Sequence, residues 1–328
     1  VEGEEIALSA CVGLARWPLD AEDADALLRN CEMALHRSKQ WGGGRYGFYQ
    51  ESMREDASRR VRVSNLLRRA IEGGRLELHF QPRVRPRTGA IVGFEALSRW
   101  TDPELGAVSP EEFIPVAEAT GSIAALGAWC LEAAAGQLRA WHEHGYPDLS
   151  VSVNLSRQQI ERELVEHVVA CTEGMERSRV ELEVTESALM EDGDEAIEIL
   201  SRLRELGFRI ALDDFGTGYS SLSYLQGLPI DTVKVDRGFI RDIAEDEDAA
   251  ALTGSVLDMC RALRLHTVVE GIETEAQREV LLALGCEEAQ GFLFGRAMPA
   301  ARTWECLEHA AGRSARRSRK VARRSLRA

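Results

Sequence analysis

The chain has no apolar run approaching the roughly 18 residues needed to cross a bilayer as a helix, and no stretch that reads as a signal peptide. The expectation is a cytoplasmic protein, with a membrane anchor on a longer parent chain left open. No CxxC pair and no Cys/His cluster stands out among the seven cysteines, Cys11, Cys31, Cys130, Cys171, Cys260, Cys286 and Cys306. Their scatter is that of free thiols packed in a cytosolic protein rather than a disulfide framework or a zinc module. Basic charge is also scarce. There are 40 Lys and Arg against 54 Asp and Glu, a net charge of -14. Eight of the basic residues lie between Arg313 and Ala328, a segment without a single acid, so the remainder is more acidic still. Such a body makes a poor general nucleic-acid binder, and no specific nucleic acid is expected as a partner. It can take a phosphate substrate if metal ions supply the positive charge.

A hydrophobic content of 45% is enough for a full core. Along the chain three regions differ. Residues 1–50 hold an apolar run (6–15), a helix-like stretch (21–40) and a glycine turn at Gly42, Gly43 and Gly44. One helix and two short strands make a thin core, as in part of a domain. A charged, helix-like connection follows and stops at Gly73-Gly74. From Leu76 short apolar runs alternate with longer amphipathic stretches. The strand candidates are 76–81, 91–97, 149–154, 180–184, 209–213, 232–235, 267–270 and 288–290. Between two of them Ala196, Ile199, Leu200, Leu203 and Leu206 share one helical face. Eight strands alternating with helices predict an α/β fold, a TIM-like (β/α)8 barrel. Only residues 82–90 separate the first two strands, too few for a parallel crossover. Those strands are therefore expected to form a hairpin, leaving the first strand antiparallel.

In barrels of this kind chemistry gathers where the strands end. Reading those ends gives Glu95, Asn154, Glu183, Glu186, Asp213 with Asp214, Lys234 with Asp236 just beyond, Glu270 with Glu273, and Gln290. One carboxylate in an apolar strand is commonly a structural ion pair. Several facing one another repel and need cations. Lys234 either orients a water and offsets charge, or is a counter-ion to Asp213 or Asp236. None of the seven histidines stands at these positions, so hard oxygen ligands favour Mg²⁺ or Mn²⁺ over zinc. Adjacent Asp213 and Asp214 suit two ions, which at about 3.5–4 Å apart promote in-line phosphoryl displacement. The segment Phe215-Gly216-Thr217-Gly218-Tyr219-Ser220-Ser221 then reads as a gate or organiser of the metal site, against the alternative of an ordinary turn.

These residues resemble a known family. Glu95-Ala96-Leu97 with Arg99-Trp100 is similar to the signature of EAL-domain cyclic-di-GMP phosphodiesterases. The likeness continues through Val153-Asn154-Leu155-Ser156, Glu183-Val184-Thr185-Glu186, the Asp213 loop, Lys234-Val235-Asp236, Glu270-Gly271-Ile272-Glu273 and Gln290-Gly291-Phe292. The resemblance implies hydrolysis of cyclic di-GMP to linear pGpG with Mg²⁺ or Mn²⁺, two ions in all, by a homodimer paired through the barrel. It implies Glu95, Asn154, Glu183, Asp213, Asp214 and Glu270 as metal ligands and Lys234 as the contact of the attacking water. Glu186 resembles the anchor of the glycine loop, Glu273 and Gln290 supporting site residues, and Gln81 and Arg99 substrate contacts. Departures such as His79 before Phe80-Gln81, Val269 before Glu270 and Ala297 remove no polar site group.

Residues 1–50 resemble the C-terminal end of a GGDEF (diguanylate cyclase) domain, through the segment from Ser9 to Ala15 and the run Glu32-Met33-Ala34-Leu35-His36-Arg37-Ser38-Lys39. The GGDEF motif itself is missing, so synthesis of cyclic di-GMP is not expected. The resulting organisation is a GGDEF remnant (1–50), a linker helix (51–65), the phosphodiesterase barrel (66–305) and a basic, disordered tail (306–328). The tail reads as solvated, or as making weak contact with nucleic acid or anionic lipid. Two other functions stay open on sequence: a catalytically silent cyclic-di-GMP receptor or partner-binding module, and another metal-dependent barrel enzyme that abstracts a proton beside a carboxylate.

Overall fold

A computed structural model of the protein describes residues 9–40, 44–190, 193–216 and 222–310. They fall into two compact units, Val1–Arg69 and Ala70–Ala328.

In the first unit β1 (Val12–Leu14) leads through α1 (Ala24–Gln40) to β2 (Tyr46–Phe48), and α2 (Glu51–Glu72) follows. The two strands pair in parallel. Ala34, Tyr49 and Met53 form a small buried cluster with Ala15 and Met33 at its edge. One helix, two short strands and a thin core match what the composition predicts.

The second unit opens with β3 (Leu76–Arg85), β4 (Ala90–Asp102) and β5 (Gly106–Val108). Then come α3 (Pro110–Ala119), α4 (Ile123–Glu143), β6 (Ser150–Leu155), α5 (Arg162–Cys171), β7 (Val180–Thr185), α6 (Glu186–Met190) and α7 (Gly193–Glu205). The remainder is β8 (Arg209–Phe215), α8 (Leu222–Gly227), β9 (Thr232–Val235), α9 (Glu247–Ala262), β10 (His266–Val269), α10 (Glu275–Ala283), β11 (Glu288–Gln290) and β12 (Met298–Pro299). Strands β3, β4, β6, β7, β8, β9, β10 and β11 close into a barrel, β3 pairing with both β4 and β11. Those two contacts of β3 are antiparallel; every other step round the barrel is parallel. This is the TIM-like barrel with its first strand reversed.

The hairpin is longer than its apolar runs suggest. Its ladder extends from Leu76↔Trp100 to Arg85↔Ala90, with an irregularity at Arg83/Val84. Polar Gln81, Arg83 and Arg85 face away from the helical layer, so the strand continues where hydrophobicity stops. A second correction concerns the C-terminal boundary. Residues 300–310 are helical, past the expected limit at 305. Leu307 is buried in the main core and Trp304 packs against it, one helical turn apart. Buried Thr303 accepts a hydrogen bond at 3.0 Å from Trp141 Nε1. The remaining tail, 311–328, lies outside the described residues. Among the described residues no helix is long and apolar enough to cross a membrane.

Alternation within each strand divides the barrel into an apolar outside and a polar inside. Val151, Val153, Leu182, Val184, Ile210 and Leu212 point outward into one core with Leu131, Leu138, Trp141, Leu200 and Leu203 from the helices. Ala196, Ile199, Leu200 and Leu203 are buried as their spacing predicts. Trp141 stacks on Phe94 at 4.7 Å and meets Phe80 edge-on at 5.2 Å. Inward stand the alternate residues, many of them charged or polar. Deepest is a layer centred on Arg83, which pairs with Glu181 and, at 2.5 Å, with Glu288. Thr232 donates to Glu181 at 2.7 Å, and His266 Nε2 lies 2.8 Å from Glu288. Closing the barrel over these groups requires that they satisfy one another.

Burial by itself would push Glu288 up, but Arg83 and His266 hold it down to about 2. A depressed carboxylate stabilises the fold above its ordinary value near 4.5, and the contribution is lost as pH falls toward 2. Glu288→Gln should therefore cost on the order of 3 kcal/mol at neutral pH, a difference that shrinks progressively below about pH 4.5. Urea midpoints measured across this range test it; a penalty independent of pH would contradict the assignment.

Candidate active site at the barrel mouth

Two residues further along each parallel strand lies a second polar layer, open to the barrel mouth. Period-2 geometry makes the layers follow from one another: Glu183 is two residues beyond Glu181, Lys234 beyond Thr232, Gln290 beyond Glu288 and Asn154 beyond Ser152. Glu95 comes from β4 and Asp213 from β8, while Glu270 follows the last residue of β10. The reversed strand β3 contributes Gln81 from its middle, directly opposite Glu95.

Lys234 occupies the centre. Its ammonium is buried and lies 2.6 Å from Glu183, 2.9 Å from Glu270, 3.0 Å from Asp213 and 3.6 Å from Glu95. Burial disfavours that charge, yet the carboxylates of Glu183, Glu270, Glu95 and Asp213 raise Lys234 well above its ordinary value. One cation cannot neutralise four acids. Burial, with Glu95 and Asp213 nearby, pushes Glu183 well above the carboxylate range against the pull of Lys234. Burial and the same two neighbours raise Glu270 to about 7 despite Lys234. Glu95 goes the other way. Burial is outweighed by Lys234 and by amide donors, Gln290 at 2.5 Å and Asn154 at 2.9 Å, so its carboxyl is held low.

The ring is thus short of positive charge, and some of its oxygens are unused. Glu183 Oε1 and Gln290 Oε1 are buried without a hydrogen-bond partner among the described residues. The donor set is carboxylate and amide oxygen only, which fits a hard divalent ion such as Mg²⁺ or Mn²⁺. The oxygens gather around the Lys234 ammonium, so an ion would use those that Lys234 leaves over.

Asp214 stands at the rim, exposed, with its N–H donating to Asp213 Oδ1 at 2.9 Å. Its φ of 54° is left-handed, an unfavourable backbone for a non-glycine residue. Burial of its carboxyl group, then Asp213 and Asp236, raise its pKa. Gly216 completes the turn with a φ of 98°; a Cβ there would sit 2.2 Å from the Phe239 ring. Residues 217–221, the remainder of the expected glycine loop, lie outside the described residues. Glu186 begins α6 fully buried, and neither carboxylate oxygen has a partner among the described residues.

The flanking residues are placed less uniformly. Gln81 Nε2 donates to the Gly295 carbonyl at 3.2 Å. Arg99, half-buried on β4, donates to the Ser98 carbonyl at 2.8 Å; burial lowers its pKa while Glu95 opposes that. It lines a cavity of about 540 Å³ with Asn154, Ser156 and Gln159. Glu273 is the exception. It is exposed, and its backbone N–H, not its carboxylate, is engaged, by Gln277 at 2.8 Å. Its side chain makes no bond to the ring among the described residues. The turn after Glu270, at Gly271 with φ 72°, carries the chain outward, which proximity in sequence does not reveal. The deeper layer of Arg83, Glu181 and Glu288 was absent from the residues expected at the site. Its signal was a polar residue two positions before four of the mouth residues: Ser152, Glu181, Thr232 and Glu288 before Asn154, Glu183, Lys234 and Gln290.

A sequence profile described as EAL domain matches residues 64–297. The bifunctional diguanylate cyclase/cyclic di-GMP phosphodiesterase MucR of Pseudomonas aeruginosa is 42% identical over 303 residues, 92% of this chain and 44% of that protein. The cyclic di-GMP phosphodiesterase NbdA of the same organism is 40% identical over 310 residues, 94% of this chain and 40% of that protein. Among solved structures, a cyclic di-GMP complex of the PaMucR phosphodiesterase superposes with a TM-score of 0.70 at 45% identity, covering 74% of this chain and 99% of that one. The chain belongs to the EAL-domain family. It spans less than half the length of the curated relatives it matches.

Removing the central ammonium isolates the acids. Lys234→Met should destabilise the metal-free protein by roughly 3–5 kcal/mol, and Mg²⁺ or Mn²⁺ should recover more stability in the variant than in the wild type. Urea unfolding with and without each ion measures this; a variant as stable as wild type without metal would remove Lys234 from its central role.

Proposed function

We propose that this chain hydrolyses cyclic di-GMP to linear pGpG at the barrel mouth, with two Mg²⁺ or Mn²⁺ ions, and so ends a second-messenger signal. The observation behind this reading is the buried ring of acids around Lys234, an oxygen-only set with more negative charge than its lysine can balance. Membership of the EAL-domain family and the cyclic di-GMP named in the PaMucR complex support the substrate. When bound, the ions supply a water acidic enough to attack at neutral pH and positive charge for the attacking and leaving oxygens. Glu95, Asn154, Glu183, Asp213, Asp214 and Glu270 would hold them. Lys234 would hydrogen-bond the attacking water and stabilise charge on the phosphoryl oxygens. Gln290 and Asn154 fix the Glu95 carboxylate through their amides. Gln81 and Arg99 orient the phosphate, Arg99 by a charge-assisted bond. Glu186 anchors the loop after Asp213-Asp214, and Glu273 supports the site from the rim. One phosphodiester bond is exchanged for a bond to water oxygen, which opens the cyclic dinucleotide.

The same reading takes 1–50 as the C-terminal portion of a GGDEF domain, joined by a linker (51–65) to the barrel (66–305), in a cytoplasmic protein that pairs with a second copy. The parallel β1–α1–β2 arrangement and the bifunctional relative support the first of these.

Purified protein incubated with cyclic di-GMP and Mn²⁺ or Mg²⁺ should release pGpG, resolved by chromatography. Glu95→Ala, or chelation of the metal, should lower the rate at least about 100-fold, the scale of losing a metal-site contribution. Wild-type turnover no greater than that of Glu95→Ala overturns the proposal; tight nucleotide binding in that case would make the chain a silent receptor.

A further inference from the structure

On the helical layer outside the barrel, α4 and α5 bring together three side chains of a different chemistry. Glu132 lies on α4; His167 and Cys171 lie on α5, four residues and so one helical turn apart on one face. One ligand atom from each of the three lies within 4.8 Å of the others, and Cys171 Sγ is 3.6 Å from His167 Nε2. With zinc bonds of about 2.0–2.1 Å to nitrogen and 2.3 Å to sulfur, tetrahedral coordination separates the two donors by about 3.5 Å. The His–Cys pair already has that spacing. Glu132 is exposed, so its carboxylate is free to swing inward by the remaining distance.

The pair of helices is also held in register. Leu131 and Leu138 of α4 and Leu164 and Val168 of α5 belong to the same buried core. Arg139, two turns along α4 from Glu132, donates to the carbonyls of Cys171 and Glu173 at 3.4 Å each, tying down the end of α5. The ligand-bearing edge is therefore preset rather than assembled on binding.

We propose that Glu132, His167 and Cys171 form a second metal site, for a zinc-class divalent cation with water as the fourth ligand, separate from the barrel mouth. The nitrogen, sulfur and oxygen set prefers zinc, whereas the oxygen-only ring inside the barrel prefers Mg²⁺ or Mn²⁺. The chain thus sorts two metals by ligand hardness. Bound zinc bridges α4 to α5 and stabilises the folded state by mass action. The grouping is not visible as a Cys/His cluster in sequence because its ligands come from two helices and the His-x-x-x-Cys pair lacks a CxxC signature.

Cobalt(II) titration of the metal-stripped full chain, in excess Mg²⁺ to occupy the barrel mouth, tests the site. The wild type should show a near-ultraviolet thiolate-to-cobalt charge-transfer band with tetrahedral d–d bands, saturating at one equivalent and bleached by zinc. Cys171→Ser and His167→Gln should abolish the band, and Glu132→Gln should weaken binding about 10–100-fold, while Asp213→Asn leaves it intact. Zinc retained after dialysis should fall by one ion per chain in Cys171→Ser. No thiolate band in the wild type, or a band that survives both Cys171→Ser and His167→Gln, overturns the proposal. The wild-type spectrum decides the first point without any variant having to fold.

Discussion

Lys234 is a fully buried ammonium held by four carboxylates, and the architecture of the barrel depends on that contact. A charge in such a place would ordinarily be too costly to bury. Here four different strands or strand ends must converge on it, which sets their register as firmly as apolar packing does. Each acid in turn needs the lysine. The arrangement is nonetheless unbalanced, since Glu183 and Glu270 retain protons far above the usual carboxylate range. That imbalance is what gives the mouth an appetite for further cations.

The interior is best understood as two charged storeys. Below, Arg83 faces only two acids, Glu181 and Glu288, and with Thr232 and His266 as further partners their hydrogen bonds close. Above, Lys234 is outnumbered and they do not. The lower layer supports the fold and the upper one is poised for chemistry, and alternate residues of the same strands build both. Reversal of β3 fits this scheme. A strand running the other way presents Gln81 and Arg83 in opposite order, so the amide reaches the mouth beside Glu95 and the guanidinium goes to the floor.

Much of this was readable from residue order, and the reasons are physical. An acid ending an apolar strand is conspicuous because water-exposed loops have no need of it, so Glu95, Glu183, Asp213 and Glu270 stood out. The short connection at 82–90 exposed the hairpin. What stayed hidden depended on three-dimensional cancellation. Glu181 and Glu288 look like surface acids until Arg83 is placed between them. Glu273 follows Glu270 by only three residues, but the left-handed Gly271 between them leaves it exposed at the rim rather than in the ring. The helix at 300–310 was hidden by the basic residues just beyond it. Its anchors, Thr303 and Leu307, are too few to stand out in sequence.

The central claim is that the ring around Lys234 is a divalent-ion site whose protons leave when the ion arrives. Calorimetric titration of Mn²⁺ into the metal-free protein, in buffers of different ionisation enthalpy and at pH values on either side of about 7, measures ions bound and protons released together. The account predicts proton release that is larger below pH 7 than above it, with affinity rising with pH and falling sharply in Glu183→Gln. Binding without proton release, or binding indifferent to Glu183→Gln, would contradict it.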